Sequence, residues 1–341
     1  MYIKAFVLFN IILDTVAFTP SPGISLFNNW HCIDFVQNID KTKPHAYNIG
    51  ELPLVLWFNE SNPISSVNLC RHFGSKLDHG TVKNGCLRCA YHGLVHTDKD
   101  SFGKTMIYED KLWWSYEPNY KKPPSVPFYK NKNYATTNIK VDVDASLVDC
   151  AFNTMDVNHP GHVHQTFGFG NPDANALENL KSYKYNDEKL GLSFNYKSNS
   201  NLVHLKRELK KSRNFHIYEY PYTTWSIVSL VNNQNLIVNV NMLPLGPNKT
   251  RWLVTLKHNY WNKYPHEKKL MEFAARCILF QDKVQMSKQA LENGLKRMVM
   301  YQEVFENEEH MEDMKTMFKK YQYPDMVSVT KLYDYHKKSQ K

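Results

Sequence analysis

The chain is predicted to be an α+β protein in two parts, a small all-β unit followed by an antiparallel sheet closed by a long C-terminal helix. Three observations predict this. Short β-type runs separated by turn-rich loops fill residues 30–120, among them LPLVLWF (52–58) and KLWWSYEP (111–118). Alternating runs recur between about 183 and 260: SFNYKSN, FHIYEYPY, TWSIVSLV, LIVNVNMLPL and RWLVTLKHNY. Then HEKKLMEFAARCILFQDKVQMSKQALENGL (266–295) reads as a long helix, with more helix around 303–320.

The elements follow in order. Residues 1–29 outline a short secretory-type signal: Lys4, an apolar run from Ala5 to Leu13 broken by Asn10, and the small-residue stretch Thr15-Val16-Ala17. The run is too short and interrupted to span a membrane. Phe18-Thr19-Pro20, in a stretch free of acidic residues up to Asn29, resembles the two-part plastid leaders of algae with complex plastids. The alternative is a buried terminal strand or helix, which leaves a cytoplasmic protein. The all-β unit spans 30–120, and the Lys-Pro-rich segment 121–133 reads as a linker. The second domain spans 134–341, opening with a strand over 134–146 and a short helix over 147–159.

Composition bounds the function. With 42% hydrophobic and 22% charged residues, the chain is an ordinary globular protein. The net charge of +9 is spread among Asn and Tyr rather than gathered into a basic arm, so no nucleic-acid partner is expected. It suits docking of an acidic protein instead. Cys32, Cys86, Cys150 and Cys277 show no repeated spacing, so a disulfide framework is not expected.

The most informative stretch is CRHFGSKLDHGTVKNGCLRCAYHG (70–93). Zinc modules commonly pair cysteine with cysteine and histidine with histidine along the chain. Here each pair is mixed, Cys70-x-His72 and Cys89-x-x-His92, with Gly74 and Gly93 close behind. A two-iron cluster can use that arrangement, with thiolates Cys70 and Cys89 on one iron and imidazoles His72 and His92 on the other. The pattern resembles the Rieske [2Fe-2S] domain. Respiratory-chain members of that family carry an extra cysteine in each loop. Ser75 and Tyr91 stand at those places, so the chain resembles the oxygenase and ferredoxin branch, and a low-potential one-electron relay is implied.

A second string, NTMDVNHPGHVH (153–164), places Asn153, Asp156, His159 and His164 as N-x-x-D-x-x-H-x-x-x-x-H. Two imidazoles and a carboxylate on one face make the facial triad of non-haem Fe(II) oxygenases. The string resembles the catalytic-iron motif of the Rieske non-haem iron oxygenases, and His162 does not fit its ligand spacing. Asp282 is the candidate carboxylate, because it continues the row Ala274–Ile278–Asp282 on an apolar helix face. Glu272 is the competitor. Asp156, one helical turn before His159, is placed to accept from that imidazole's other nitrogen.

The resemblance, over roughly residues 30–295, implies a helix-grip catalytic domain with a mononuclear Fe(II), O2 as co-substrate and a small ring-containing organic substrate. It implies electrons from a separate ferredoxin or reductase. It also implies that Asp156 bridges to His72 or His92 of a neighbouring subunit in a homotrimer. Phe167, Phe169, Trp225, Asn241 and Met242 are candidate pocket walls. Hydroxylation, demethylation and desaturation stay open. Pheophorbide and chlorophyllide oxygenases belong to the family, which makes a tetrapyrrole attractive if the leader is a plastid address, although those enzymes are longer. Two other classes compete: a Rieske electron carrier with a non-catalytic second domain, and a zinc-stabilised interaction protein.

Overall fold

A computed structural model of the protein describes residues 26–164, 177–196, 213–229, 233–289 and 309–320. The expected leader, residues 1–25, lies outside them, as do Phe167 and Phe169. The described residues open on the short turn Leu26–Asn28, and Phe27 is buried in the core of the first unit.

That unit is built from nine short strands: β1 (His31–Phe35), β2 (His45–Ile49), β3 (Leu52–Asn59), β4 (Asn62–Val67), β5 (Thr81–Lys83), β6 (Cys86–Arg88), β7 (Val95–His96), β8 (Lys104–Tyr108) and β9 (Lys111–Ser115). They form three antiparallel sheets in the orders β1-β9-β8, β2-β3-β4 and β5-β6-β7. Ile33, Leu54, Leu56, Phe58, Leu112 and Trp114 form the main core. Val55 and Trp57, on the other face of β3, pack with Leu77, Leu87, Cys70 and Cys89 in a second core beneath the β5-β6-β7 sheet.

The second unit is a seven-stranded antiparallel sheet made from β10 (Ala135–Val143), β11 (Leu177–Asn186), β12 (Lys189–Tyr196), β13 (Arg213–Glu219), β14 (Thr223–Ser229), β15 (Asn235–Gly246) and β16 (Lys249–His258). Its order is β10-β16-β15-β14-β13-β12-β11, so the first strand pairs with the last. Helices α1 (Leu147–Met155), α2 (His159–Val163), α3 (Pro265–Gln289) and α4 (Glu309–Lys320) complete it. Period-2 alternation splits the strands into two apolar faces. Ile139, Leu192, Phe194, Tyr218, Val240, Met242, Trp252 and Val254 face α1, α3 and α4 through Leu147, Ala151, Met155, Leu279, Met286 and Met314. The opposite face packs on the first unit. Leu243 joins the core of the β1–β9 unit, and Leu253 packs with Trp30, Phe35 and Trp113. Lys111 Nζ donates to Asn239 Oδ1 at 3.0 Å, and Lys140 Nζ lies 2.8 Å from Asp34 Oδ2. The two units therefore share one continuous interface.

Two local expectations are corrected. Residues 147–159 are not one helix: Ser146 caps α1 by accepting from Asp149 N at 3.1 Å, and the helix stops at Met155. Asp156–Asn158 turn the chain, and His159 opens α2 with Pro160 at its second position. Pro160 has no amide hydrogen to continue α1 and fits the first turn of a new helix. In addition, β11 begins at Leu177, before the first run read from the sequence. Its residues are largely exposed at the sheet edge, so apolar alternation is weak there.

Candidate metal centres

Two loops at one tip of the β1–β9 unit carry the first donor set. Cys70 follows β4, and Cys89 follows β6. The loops share one backbone plan. Cys70 N donates to Ser75 O at 2.8 Å and Cys89 N to Leu94 O at 2.9 Å; Gly74 N donates to Cys70 O at 2.8 Å and Gly93 N to Cys89 O at 3.0 Å. Closing those turns puts Gly74 at φ +68° and Gly93 at φ +71°, a left-handed conformation that glycine adopts without a steric cost. A Cβ would meet nothing within 4 Å at either position, so backbone angle rather than space is what calls for glycine. Asn68 anchors the first loop, its Oδ1 accepting from Leu77 N and Asp78 N at 2.8 and 3.0 Å.

This plan buries the two sulfurs and exposes the two imidazoles. Tyr91 N donates to Cys89 Sγ at 3.4 Å. Burial pushes the Cys89 thiol up, but donors from Tyr91, Cys70, His92 and Ser75 outweigh it and hold the thiol below its ordinary value. The His72 and His92 rings lie 4.9 Å apart, and all six cysteines are free thiols. Two thiols on the protein side and two imidazoles on the solvent side suit a cluster held between the loops, the thiolates on its inner iron. Exposed Phe73 and Tyr91 pack beside the histidines, Phe73 at 4.4 Å from the His72 ring and Tyr91 at 3.9 Å from the His92 ring.

The second donor set forms where α2 meets α3. His159 Nε2 and His164 Nε2 lie 3.4 and 3.1 Å from the same oxygen, Asp282 Oδ1, and the three donor atoms fall within 4.8 Å of one another. His164 and Asp282 are buried, and Asp282 Oδ1 takes no well-aligned hydrogen bond. A buried carboxylate oxygen flanked by two imidazole nitrogens and left without a conventional partner fits a divalent cation. Burial raises the Asp282 carboxyl, but the close approach of the His159 and His164 imidazoles prevails and lowers it. For His159, desolvation pulls the imidazole down, while Asp282 and Asp156 more than offset it and raise it.

The imidazoles are oriented from behind. His159 Nδ1 lies 2.7 Å from the Asp156 backbone oxygen, and His164 Nδ1 lies 2.9 Å from Gln281 Oε1. The expected contact from the Asp156 carboxylate is corrected. That group is 4.0 Å from Nδ1 and instead accepts from Asn158 N and His159 N at 2.8 and 3.2 Å, bracing the turn into α2. Gln281 was missed by sequence reasoning, and its one signal was adjacency to Asp282.

The remaining candidates fall as follows. Asn153 lies half-buried in the last turn of α1. Asp282 does face inward, but the buried row of α3 is Met271, Leu279, Asp282 and Met286 rather than Ala274–Ile278–Asp282. Glu272 pairs with Arg276 at 2.7 Å on the exposed side. His162 is exposed and lines a groove of about 470 Å3 with Val163, Phe280, Gln281, Val284 and Gln285. Of the described pocket candidates, Met242 faces the helices, whereas Trp225 and Asn241 do not. Trp225 pairs with Asn239, and Asn241 with Leu253, on the face that packs against the first unit.

Residues 29–105 match the Rieske [2Fe-2S] domain family. The oxygenase component of 3-ketosteroid-9-alpha-monooxygenase from Mycolicibacterium smegmatis is 36% identical over 64 residues, 18% of this chain and 17% of that one. The chloroplastic protochlorophyllide-dependent translocon component 52 of Arabidopsis thaliana is 24% identical over 180 residues, 42% of this chain and 32% of that one. The chain thus spans a third or less of the length of either relative. The crystal structure of dicamba monooxygenase bound to dicamba superposes with a TM-score of 0.75 at 14% identity, covering 87% of this chain and 97% of that one.

Proposed function

From a chain that carries a Rieske [2Fe-2S] domain and has the fold of the Rieske oxygenases, we propose a Rieske non-haem iron oxygenase that oxidises a small ring-containing organic molecule. The observation that carries this is the convergence of His159, His164 and Asp282 within 4.8 Å, downstream of a Rieske domain. Cys70 and Cys89 would hold the inner iron of the cluster and His72 and His92 the outer one. The triad would hold Fe(II), which when bound supplies activation of O2 with electrons relayed through the cluster.

The chain's own residues prepare that chemistry. The Asp156 carbonyl and Gln281 Oε1 fix both Nδ1 atoms as donors, which leaves Nε2 of each ring as the ligand atom. Leu192, Phe194, Val240 and Met242 on the inner sheet face belong to the buried apolar core that the helices close over. The exposed cluster histidines can pass electrons outward, and the Asp156 carboxylate, 32% exposed, is open to a neighbour. Head-to-tail bridging from His72 or His92 of one copy to Asp156 of the next would close a homotrimer. Electrons would enter from a ferredoxin or reductase, whose acidic surface would complement the +9 charge. The dicamba and ketosteroid relatives favour oxidation of a ring-bearing substrate, and demethylation and hydroxylation both remain within this reading.

Iron and acid-labile sulfide counted on anaerobically purified protein test the proposal. About three irons and two sulfides per chain with a Rieske paramagnetic signal are expected. Two of each in fully metallated protein would leave an electron carrier and overturn the oxygenase reading.

A further inference from the structure

Helix α3 is apolar on two opposite sides, and among the described residues the core accounts for only one. At about 100° per residue, Met271, Ala275, Leu279, Asp282 and Met286 fall in one stripe facing the sheet. Leu270, Phe273, Cys277, Phe280 and Val284 fall in a second stripe roughly 180° away. In that outer stripe Leu270, Phe273 and Phe280 are 55%, 64% and 63% exposed. Large apolar residues gathered on one exposed face mark an interaction surface.

Its surroundings say what kind of partner it fits. Lys269 and Lys283 stand on one flank of the stripe, with Arg276 between them paired to Glu272 at 2.7 Å. At the head of the helix stand exposed Trp261, Lys263, Tyr264 and Lys268, with Lys263 Nζ 5.4 Å from the Tyr264 ring centroid. Trp261 is held at φ +47°, a conformation uncommon for a bulky residue. Exposed Trp and Tyr beside lysines, continued by a Leu-Phe stripe flanked by lysines, make the surface of a helix lying in a membrane interface. A two-fold antiparallel pairing of α3 with its own copy would set the flanking lysines against those of the copy, so charge opposes self-association here.

We infer that the outer face of α3, with Trp261 and Tyr264 at its head, docks the protein on an anionic lipid surface. The helix lies along the interface rather than across it: among the described residues no helix is long and apolar enough to cross a membrane. Asp282 lies on the opposite side of the same helix, so docking holds the triad about one helix diameter, roughly 10–12 Å, from the headgroups.

The test is flotation of the full-length protein with phosphatidylcholine vesicles containing about 30% phosphatidylserine, against phosphatidylcholine alone. Wild type is expected to float with the anionic vesicles, less so as salt rises, and not with the neutral ones. Leu270→Ser/Phe273→Ser and, separately, Lys263→Glu/Lys269→Glu are each expected to lose tenfold or more of that binding with iron, sulfide and mass unchanged. Absence of wild-type flotation, or unchanged flotation of either variant, overturns the inference. So does a fall in oligomeric mass in the Leu270/Phe273 variant, which would make this face a subunit interface, and so does retention by an acidic protein in place of vesicles. Flotation does not depend on turnover, so its failure leaves the oxygenase reading intact, and the reverse also holds.

Discussion

The backbone oxygen of Asp156, at 2.7 Å, faces Nδ1 of His159, while the Asp156 carboxylate stands 4.0 Å away and turns outward. One residue thus separates two tasks: its main chain orients an imidazole, and its side chain braces the turn into α2 and stays partly exposed. Substitution can remove the charge and keep the rest. Asp156→Asn still offers an oxygen to Asn158 N and His159 N, so α2 and both metal contents should be unchanged. On the proposed head-to-tail bridge, transfer of electrons from cluster to triad should fall roughly tenfold or more, because the bridging imidazole would lose its anionic partner. Single-turnover oxidation of the reduced cluster in the presence of O2 and substrate measures this, and an unchanged rate would remove Asp156 from the path.

Gln281 and Asp282 adjoin on α3 and serve the same histidine from two directions, Gln281 Oε1 at Nδ1 and Asp282 Oδ1 near Nε2. Gln281→Ala leaves His164 free to change tautomer and tilt. Iron at the triad should bind about 10–100-fold more weakly, as for other supports of metal-ligating histidines. The visible spectrum of the cluster, which sits in the other unit, should be unaffected. Competition against a chelator for the mononuclear iron reads the first effect. Loss of both metals together would show instead that Gln281 supports the fold.

Much of the site was legible because its donors are chemically rare and closely spaced. Cys70, His72, Cys89 and His92 sit in one 23-residue run, and His159 and His164 are five residues apart. Asp282 was reachable through its place in a helical pattern. What was not legible depended on contacts across long sequence gaps or on the choice between side chain and main chain. Period-2 alternation identifies β14 and β15 but cannot say which face meets the helices when both faces are apolar, so nothing in the sequence separated Met242 from Trp225 and Asn241, which lie on the other face. Pairing of β10 with β16 links residues more than a hundred apart and has no local signature. A carbonyl can replace a carboxylate at His159 only because the chain turns at Asp156–Asn158, and Pro160 alone hinted at that turn.

Ser75 is one of the donors that hold the Cys89 thiol down. A hydrogen bond to a cluster sulfur favours the more negative, reduced state and so raises the potential. Ser75→Ala should lower the cluster potential by roughly 20 to 60 mV, the one-electron equivalent of a single hydrogen bond of about 0.5–1.5 kcal/mol. Because both loops are closed by backbone bonds, cluster content should not change. Redox titration followed by paramagnetic resonance checks this, and a potential that stays put or rises would exclude the hydroxyl as a tuning group.

Asp142 on β10 and Arg251 on β16 form a two-pronged ion pair at 2.6 and 2.9 Å. The Arg251 hydrogen bonds, set against a smaller desolvation cost, hold the Asp142 carboxyl below its ordinary value. Asp34 and Tyr47 of the first unit act on the same guanidinium, so the pair sits where the two units meet. A depressed carboxyl stabilises the fold at pH above its unfolded value, near 4, and that contribution is lost as pH falls through the lower folded value. Both side chains are partly open to solvent, so Asp142→Asn should cost only about 1 kcal/mol at neutral pH. Thermal unfolding should therefore separate wild type from the variant at pH 7 and bring them together as the pH falls through the lowered folded value of Asp142. A gap that persists undiminished into acid would mean that packing between β10 and β16, not the charge of Asp142, is what the substitution disturbs.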